Sequence, residues 1–125
     1  MKKILSIIIS VMMVFSLIGC QSTKVQSIDG ETVYHMIQNE EDFVLVDVRE
    51  EDEYNEGHIP GAILIPLGTI ETDFESIVSS KEKEIVVYCR SGRRSKEAYE
   101  KIVRLGYENV FDLGGIIDWD YDIEK

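Results

Sequence analysis

The run Cys89-Arg90-Ser91-Gly92-Arg93-Arg94-Ser95 concentrates a thiol, three arginines and a glycine in seven residues. A tight loop containing Gly92 lets successive backbone N–H groups converge on one anion. A helix beginning just after the loop adds its positive N-terminal end. Arg90, Arg93, Arg94 and Lys96 add formal positive charge to a chain that is otherwise acidic. All three features favour thiolate over thiol, and the thiolate is the nucleophile. Each component alone has an ordinary reading: a small core cysteine, solvated arginines, a glycine in a turn. Their coincidence points to Cys89 as a reactive group in an anion-binding loop.

The surrounding pattern supplies the elements that must position this loop. Asp29 can cap a helix through Gln38, with Val33, Met36 and Ile37 on one face. Phe43-Val44-Leu45-Val46 and Glu84-Ile85-Val86-Val87-Tyr88 are near-continuous apolar runs of the kind buried on both faces of a sheet. Glu50 to Asn55 reads as an acidic helical turn, Gly57 to Gly61 as a turn, and Ala62 to Ile65 as a short strand ended by Pro66. Ile70, Phe74, Ile77 and Val78 share one face of a second long helix. A further helix from Ser95 to Leu105 carries Ala98, Ile102 and Leu105 inward and stops at Gly106. Val110-Phe111 is a last strand, Leu113-Gly114-Gly115 a turn, and Ile116 to Tyr121 a terminal helical turn. Strands alternating with helices predict an α/β domain with a parallel sheet, whose ligand crevice lies beyond the carboxyl ends of the strands. Cys89 follows the third strand directly and so falls at such an end.

The chain has 125 residues, enough for one domain, with net charge -11. That charge disfavours nucleic acid and anionic lipid head groups as partners of the whole surface. The first residues stand apart from the domain. Lys2 and Lys3 precede an apolar run from Ile4 to Ile18, broken only by Ser6, Ser10 and Ser16. This run is shorter than the roughly 20 residues that span a bilayer, and 1–19 reads as an export signal. An uncleaved membrane anchor is the alternative. Leu17-Ile18-Gly19-Cys20 resembles a bacterial lipobox, which makes Cys20 a lipidation site and 20–27 a tether ahead of a domain over 28–125. The expected product is an exported, membrane-anchored lipoprotein on the extracytoplasmic side, touching the membrane through its lipid only. If Cys20 is acylated, Cys89 has no partner in its own chain; a Cys20–Cys89 disulfide is the competing possibility.

Three further stretches complete a resemblance. Val46-Asp47-Val48-Arg49 with Glu53, Gly57-His58-Ile59-Pro60-Gly61-Ala62, and Leu113-Gly114-Gly115 with Trp119 accompany the Cys89 loop in order. Together they look like a single-domain rhodanese, the thiosulfate sulfurtransferase family. The resemblance implies a rhodanese-like fold with a five-stranded parallel sheet flanked by helices on both faces. It implies an enzyme without a cofactor or metal, in which Cys89 takes the outer sulfur of a small anionic donor such as thiosulfate as a persulfide. A thiol, cyanide or redox-protein acceptor then removes that sulfur. Backbone amides from Arg90 through Ser91, Gly92 and Arg93 to Arg94 would hold the persulfide. Arg94 is the best candidate to orient the sulfonate, with Arg90 and Arg93 facing the entrance. Asp47 and Arg49 would brace the surrounding loops as an ion pair. His58 belongs to a turn signature that hydrogen-bonds backbone rather than serving as a base, and His35 has no assigned partner. Trp119 reads as a core anchor rather than a rim residue.

Rival readings exist at each level. A cysteine phosphatase or arsenate reductase also sets cysteine in an arginine-rich loop, but with five residues between cysteine and arginine. Here four residues separate Cys89 from Arg94, a smaller cradle suited to sulfur rather than a tetrahedral oxyanion. A binding module that keeps the fold commonly lacks the cysteine, and a structural envelope lipoprotein leaves the loop unexplained. A persulfide carrier without turnover is the remaining non-enzymatic alternative.

Overall fold

The computed structural model describes residues 24–125. The expected export signal and lipidation site, including Cys20, lie outside them. Four strands form one sheet: β1 (Val44–Asp47), β2 (Ile63–Leu64), β3 (Glu84–Cys89) and β4 (Asn109–Gly115). Their order is β2-β1-β3-β4 and every pairing is parallel. The two apolar runs take the central positions, where both faces are covered. Alternation along β3 sends Ile85, Val87 and Cys89 into one core and Val86 and Tyr88 into the other.

Four helices cover the sheet: α1 (Gly30–Gln38), α2 (Glu51–Glu56), α3 (Ile70–Ile77) and α4 (Arg93–Arg104). Asp29 caps α1 by accepting from the Thr32 amide at 2.7 Å. Val33 and Met36 of α1 pack with Leu45, Val86 and Tyr88. Ile70 and Phe74 of α3 join Ala98 and Ile102 of α4 against Val46, Val87 and Cys89. Helices therefore flank both faces, as expected.

Five strands were expected, and four form among the described residues. Beside β4, the described residues make one further bridge, between Ser27 and Asp112. Asp29 starts the cap of α1 two residues later, which ends the pairing on that side. Ordered contacts reach back to Lys24, whose carbonyl accepts from the Tyr99 hydroxyl at 3.3 Å. Other local differences follow from the sheet. Leu113-Gly114-Gly115, expected as a turn, completes β4, because Tyr88 and Cys89 pair with Gly114 and Gly115 after a register shift. The helix expected from Ser95 starts at Arg93, as Gly92 already serves as its N-terminal flank. Ile77, expected inside, is 51% exposed; α3 ends there and Val78 turns extended into the buried place.

Candidate active site

Parallel pairing brings three carboxyl ends to one edge of the sheet. Asp47 of β1 pairs with Tyr88 of β3, and Cys89 of β3 pairs with Gly115 of β4. Cys89 is 1% exposed, and its sulfur accepts from the Gly92 amide at 3.0 Å. Gly92 reaches that position with φ 109°, a left-handed conformation open to glycine at little cost. Its carbonyl is tied into α4 by the Ser95 hydroxyl at 3.0 Å and the Lys96 amide at 3.3 Å. The loop thus delivers an N–H and a helix N-terminus to one sulfur, an arrangement that stabilises negative charge there.

β4 backs the loop closely. A methyl group on Gly115 would overlap the Arg90 carbonyl oxygen and lie 2.8 Å from Ser91 Cα. The Ile117 amide donates to that same carbonyl at 3.2 Å. Gly115→Ala is accordingly expected to lower stability by about 1–3 kcal/mol through overpacking. An unchanged thermal melt for that variant would contradict this contact.

The three arginines have different surroundings. Arg90 and Arg93 are exposed and make no ion pair among the described residues. Arg94 instead reaches α2, where its two terminal nitrogens donate to both oxygens of Glu53 at 2.8 and 2.9 Å. Glu53 also accepts from the Glu50 amide at 2.9 Å, within a capping box that opens α2. One carboxylate therefore starts a helix and fixes the guanidinium beside the thiol.

The Arg94 guanidinium lowers the Glu53 carboxyl from 4.5 to about 2. A depressed carboxylate contributes stability that is complete above its unfolded value and lost as pH falls through its folded one. The stability gap between the wild type and Glu53→Gln should be constant from neutral pH down to roughly 5 and close on approach to about 2. Denaturation curves across that range test it; a gap independent of pH would mean that the pairing carries no charge-linked stability.

Behind the loop lies a buried polar network. Asp47 is fully buried and receives Arg49 Nε at 3.0 Å, Arg49 Nη2 at 2.8 Å and the Tyr88 hydroxyl at 2.8 Å. Arg49 Nη2 also donates to the Gly57 carbonyl at 2.7 Å, and Tyr88 accepts from the Ile59 amide at 3.1 Å. Burial, reinforced by the Asp47 charge, pushes the Tyr88 phenol well above its usual range, so it stays a donor. Asp47 and Arg49 are thus found paired and bracing the Gly57–Ile59 turn. His58 in that turn has Nδ1 at 3.0 Å from the Tyr54 carbonyl and stacks on the Tyr54 ring at 3.8 Å. Its backbone pairs with Glu124, tying the C-terminal segment to the turn. None of Asp47, Arg49 or His58 hydrogen-bonds the Cys89 sulfur.

Sequence reasoning missed two of these connections. Glu53 was noted only as part of a signature, and Tyr88 only as a strand residue. Alternation from Val87 could have assigned Tyr88 to the face opposite the core shared by Val87 and Cys89. Nothing local points to Asp47 as its partner, 41 residues away. Trp119 is half-buried: it packs on the core that contains Tyr88, and its ring N–H donates to the Asp122 carbonyl at 3.0 Å. It therefore serves both as anchor and as part of a rim.

A cleft of about 440 Å³ adjoins the network, with Arg49, Glu53 and Gly57 on one side and Ile116, Ile117 and Trp119 on the other. A larger cavity of about 540 Å³, lined by Asp42, Lys83, Glu84 and Asn109, sits at the amino ends of β3 and β4. It lies at the opposite end of β3 from Cys89.

Comparison with known proteins bears on this geometry. The Rhodanese-like domain family matches residues 29–122. A protein of Allochromatium vinosum named "Sulfurtransferase" is 38% identical over 96 residues, covering 76% of this chain and 88% of its own. "Thiosulfate sulfurtransferase PspE" of Escherichia coli is 37% identical over 73 residues, covering 58% of this chain and 70% of its own. A solved structure described as a rhodanese with anions from E. coli superposes with a TM-score of 0.62 at 34% identity, covering 66% of this chain and 96% of that one.

Proposed function

The chain belongs to the rhodanese-like domain family, and on that premise we propose that it moves a sulfane sulfur from thiosulfate, or a similar anionic donor, to a nucleophilic acceptor through a Cys89 persulfide. The observation that carries this reading is the buried Cys89 sulfur held at 3.0 Å by the Gly92 amide at the head of α4. The relative from Escherichia coli named as a thiosulfate sulfurtransferase supports the choice of donor.

The Cys89 thiolate attacks the outer sulfur of thiosulfate. A sulfur–sulfur bond forms as the original one breaks, and sulfite leaves with its electron pair. Charge is conserved, and no oxidant is consumed. The loop amides from Arg90 to Arg94 hold the resulting persulfide anion, and exposed Arg90 and Arg93 draw the donor in. Arg94, kept in place by Glu53, supplies fixed positive charge toward the sulfonate. An acceptor nucleophile then removes the outer sulfur, which makes the scheme ping-pong.

The test is thiocyanate formation from thiosulfate and cyanide. Turnover supports the enzyme. A persulfide on Cys89 with no turnover for any acceptor supports a carrier instead. Hydrolysis of an aryl phosphate that depends on Cys89 would favour the phosphatase alternative.

We also propose that the chain is exported and lipidated at Cys20, as the lipobox-like Leu17-Ile18-Gly19-Cys20 suggests. Cys20→Ala should move the protein from the membrane to the soluble fraction of its host. Unchanged membrane partition would defeat the anchor.

A further inference from the structure

A separate pocket of about 270 Å³ lies between α1 and the chain that follows β4. Tyr34 and Ile37 come from α1, Pro60 from the turn after α2, and Trp119, Tyr121 and Asp122 from the C-terminal segment. Its three rings are held in place. Tyr34 and Tyr121 stack with centroids 4.0 Å apart at 9°, and Trp119 stands at 68° to Tyr121 with centroids 5.0 Å apart. The indole lies over Gly30 at the head of α1, with its Cε3 3.6 Å from where a Cβ would stand. Its N–H is already taken by the Asp122 carbonyl at 3.0 Å. Further along, Glu124 exchanges both backbone hydrogen bonds with His58 at 2.8 Å, which anchors the segment. Such a pocket needs little ordering to receive a ligand.

Its electrostatics have one sign. Asp122 is the only charged residue in the lining, and its exposed carboxylate makes no ion pair among the described residues. Partial burial, followed by the charges of Glu31 and Asp120, pushes the Tyr121 phenol above its ordinary value, as a negative potential at that ring requires. Aromatic faces are themselves negative and attract cations. We propose that this pocket binds a small organic cation, its alkylated ammonium group set against the rings of Tyr34, Trp119 and Tyr121 with Asp122 as counter-charge. A primary ammonium carries three donors, and beyond Asp122 the lining offers only the Gln38 amide and tyrosine hydroxyls to meet them. An alkylated ammonium has fewer donors to leave unmet in an aromatic and aliphatic wall. A lipid headgroup shares this chemistry, but its phosphate would sit among Asp120 and Asp122, which favours a free solute. Cys89 and its loop take no part in the lining, so this site stands or falls apart from sulfur transfer.

Trp119 is the single tryptophan of the chain, so its fluorescence reports on the pocket directly. The full chain is titrated with choline, with the neutral alcohol in which carbon replaces the nitrogen, with phosphocholine, and with sodium chloride at matched ionic strength. Choline should give a saturable change, and the neutral alcohol should need about tenfold more for the same response. Phosphocholine should bind more weakly than choline. Asp122→Asn should weaken choline binding several-fold and Asp122→Lys by about tenfold or more. The Asp122 side chain is exposed and makes no hydrogen bond among the described residues, so both variants should keep the wild-type thermal melt. Tyr34→Leu keeps an apolar wall but removes a ring, and should shrink the preference for choline over the alcohol. Equal responses to choline and its neutral analogue would overturn the cation site, as would a change that sodium chloride reproduces or one untouched by Asp122→Lys. Tighter binding of phosphocholine would overturn the assignment to a free cation.

Discussion

Cys89→Ser is expected to abolish sulfur transfer, lowering thiocyanate formation by about 1,000-fold or more, because a covalent route ends when its nucleophile is removed. Serine fits the site, since it is smaller than cysteine and the Gly92 amide that donates to Sγ at 3.0 Å can donate equally to a hydroxyl. The fold should therefore survive, and the loss should be chemical. Two measurements distinguish this from unfolding: an unchanged thermal melt, and the absence of the sulfur mass increment after thiosulfate treatment. Activity equal to that of the wild type would remove Cys89 from the mechanism.

The second large effect is on stability. Asp47 is fully buried and Arg49 is 6% exposed. In Asp47→Ala the Arg49 guanidinium keeps its bond to the Gly57 carbonyl but loses its counter-charge, and the Tyr88 hydroxyl loses its acceptor. Removing one partner of a buried ion pair costs about 3–5 kcal/mol, largely because the other charge stays buried and uncompensated. For a domain whose total stability is typically about 5–15 kcal/mol, that is a large fraction. Urea denaturation should show it. The double variant Asp47→Ala with Arg49→Met should recover part of the loss, since an apolar replacement has no charge to desolvate. A single-variant loss below about 1 kcal/mol would mean that water or a neighbouring group compensates Arg49. The pair also holds the Gly57–Ile59 turn through the Gly57 carbonyl.

Local sequence carried much of the framework. The runs at 43–46 and 84–88 announced two buried parallel strands, since strands covered on both faces need no polar side. Asp29 marked a helix start because its side-chain oxygen acts within a few residues, whereas the helix expected from Ser95 begins at Arg93, directly after left-handed Gly92. The Cys89 loop was legible for the same reason: its thiol, glycine and arginines lie within seven residues, and the helix that completes it follows at once. The Asp47–Arg49 pair was expected from the family resemblance rather than from the local pattern.

What the tertiary structure decided is what long-range register decides. Glu53 and Arg94 are 41 residues apart, and their meeting depends on α2 and the start of α4 lying at the same edge of the sheet. Tyr88 finds Asp47 across the β1–β3 pairing, again 41 residues away. Gly115 must lack a side chain because β4 shifts register after Val87 and runs on beneath Arg90. Beside β4 the chain makes one bridge, at Ser27, two residues before the cap of α1. A side chain's type and its neighbours within a turn or strand are local properties of the sequence. Which distant group it meets is set by how parallel strands align, and periodicity alone does not encode that alignment.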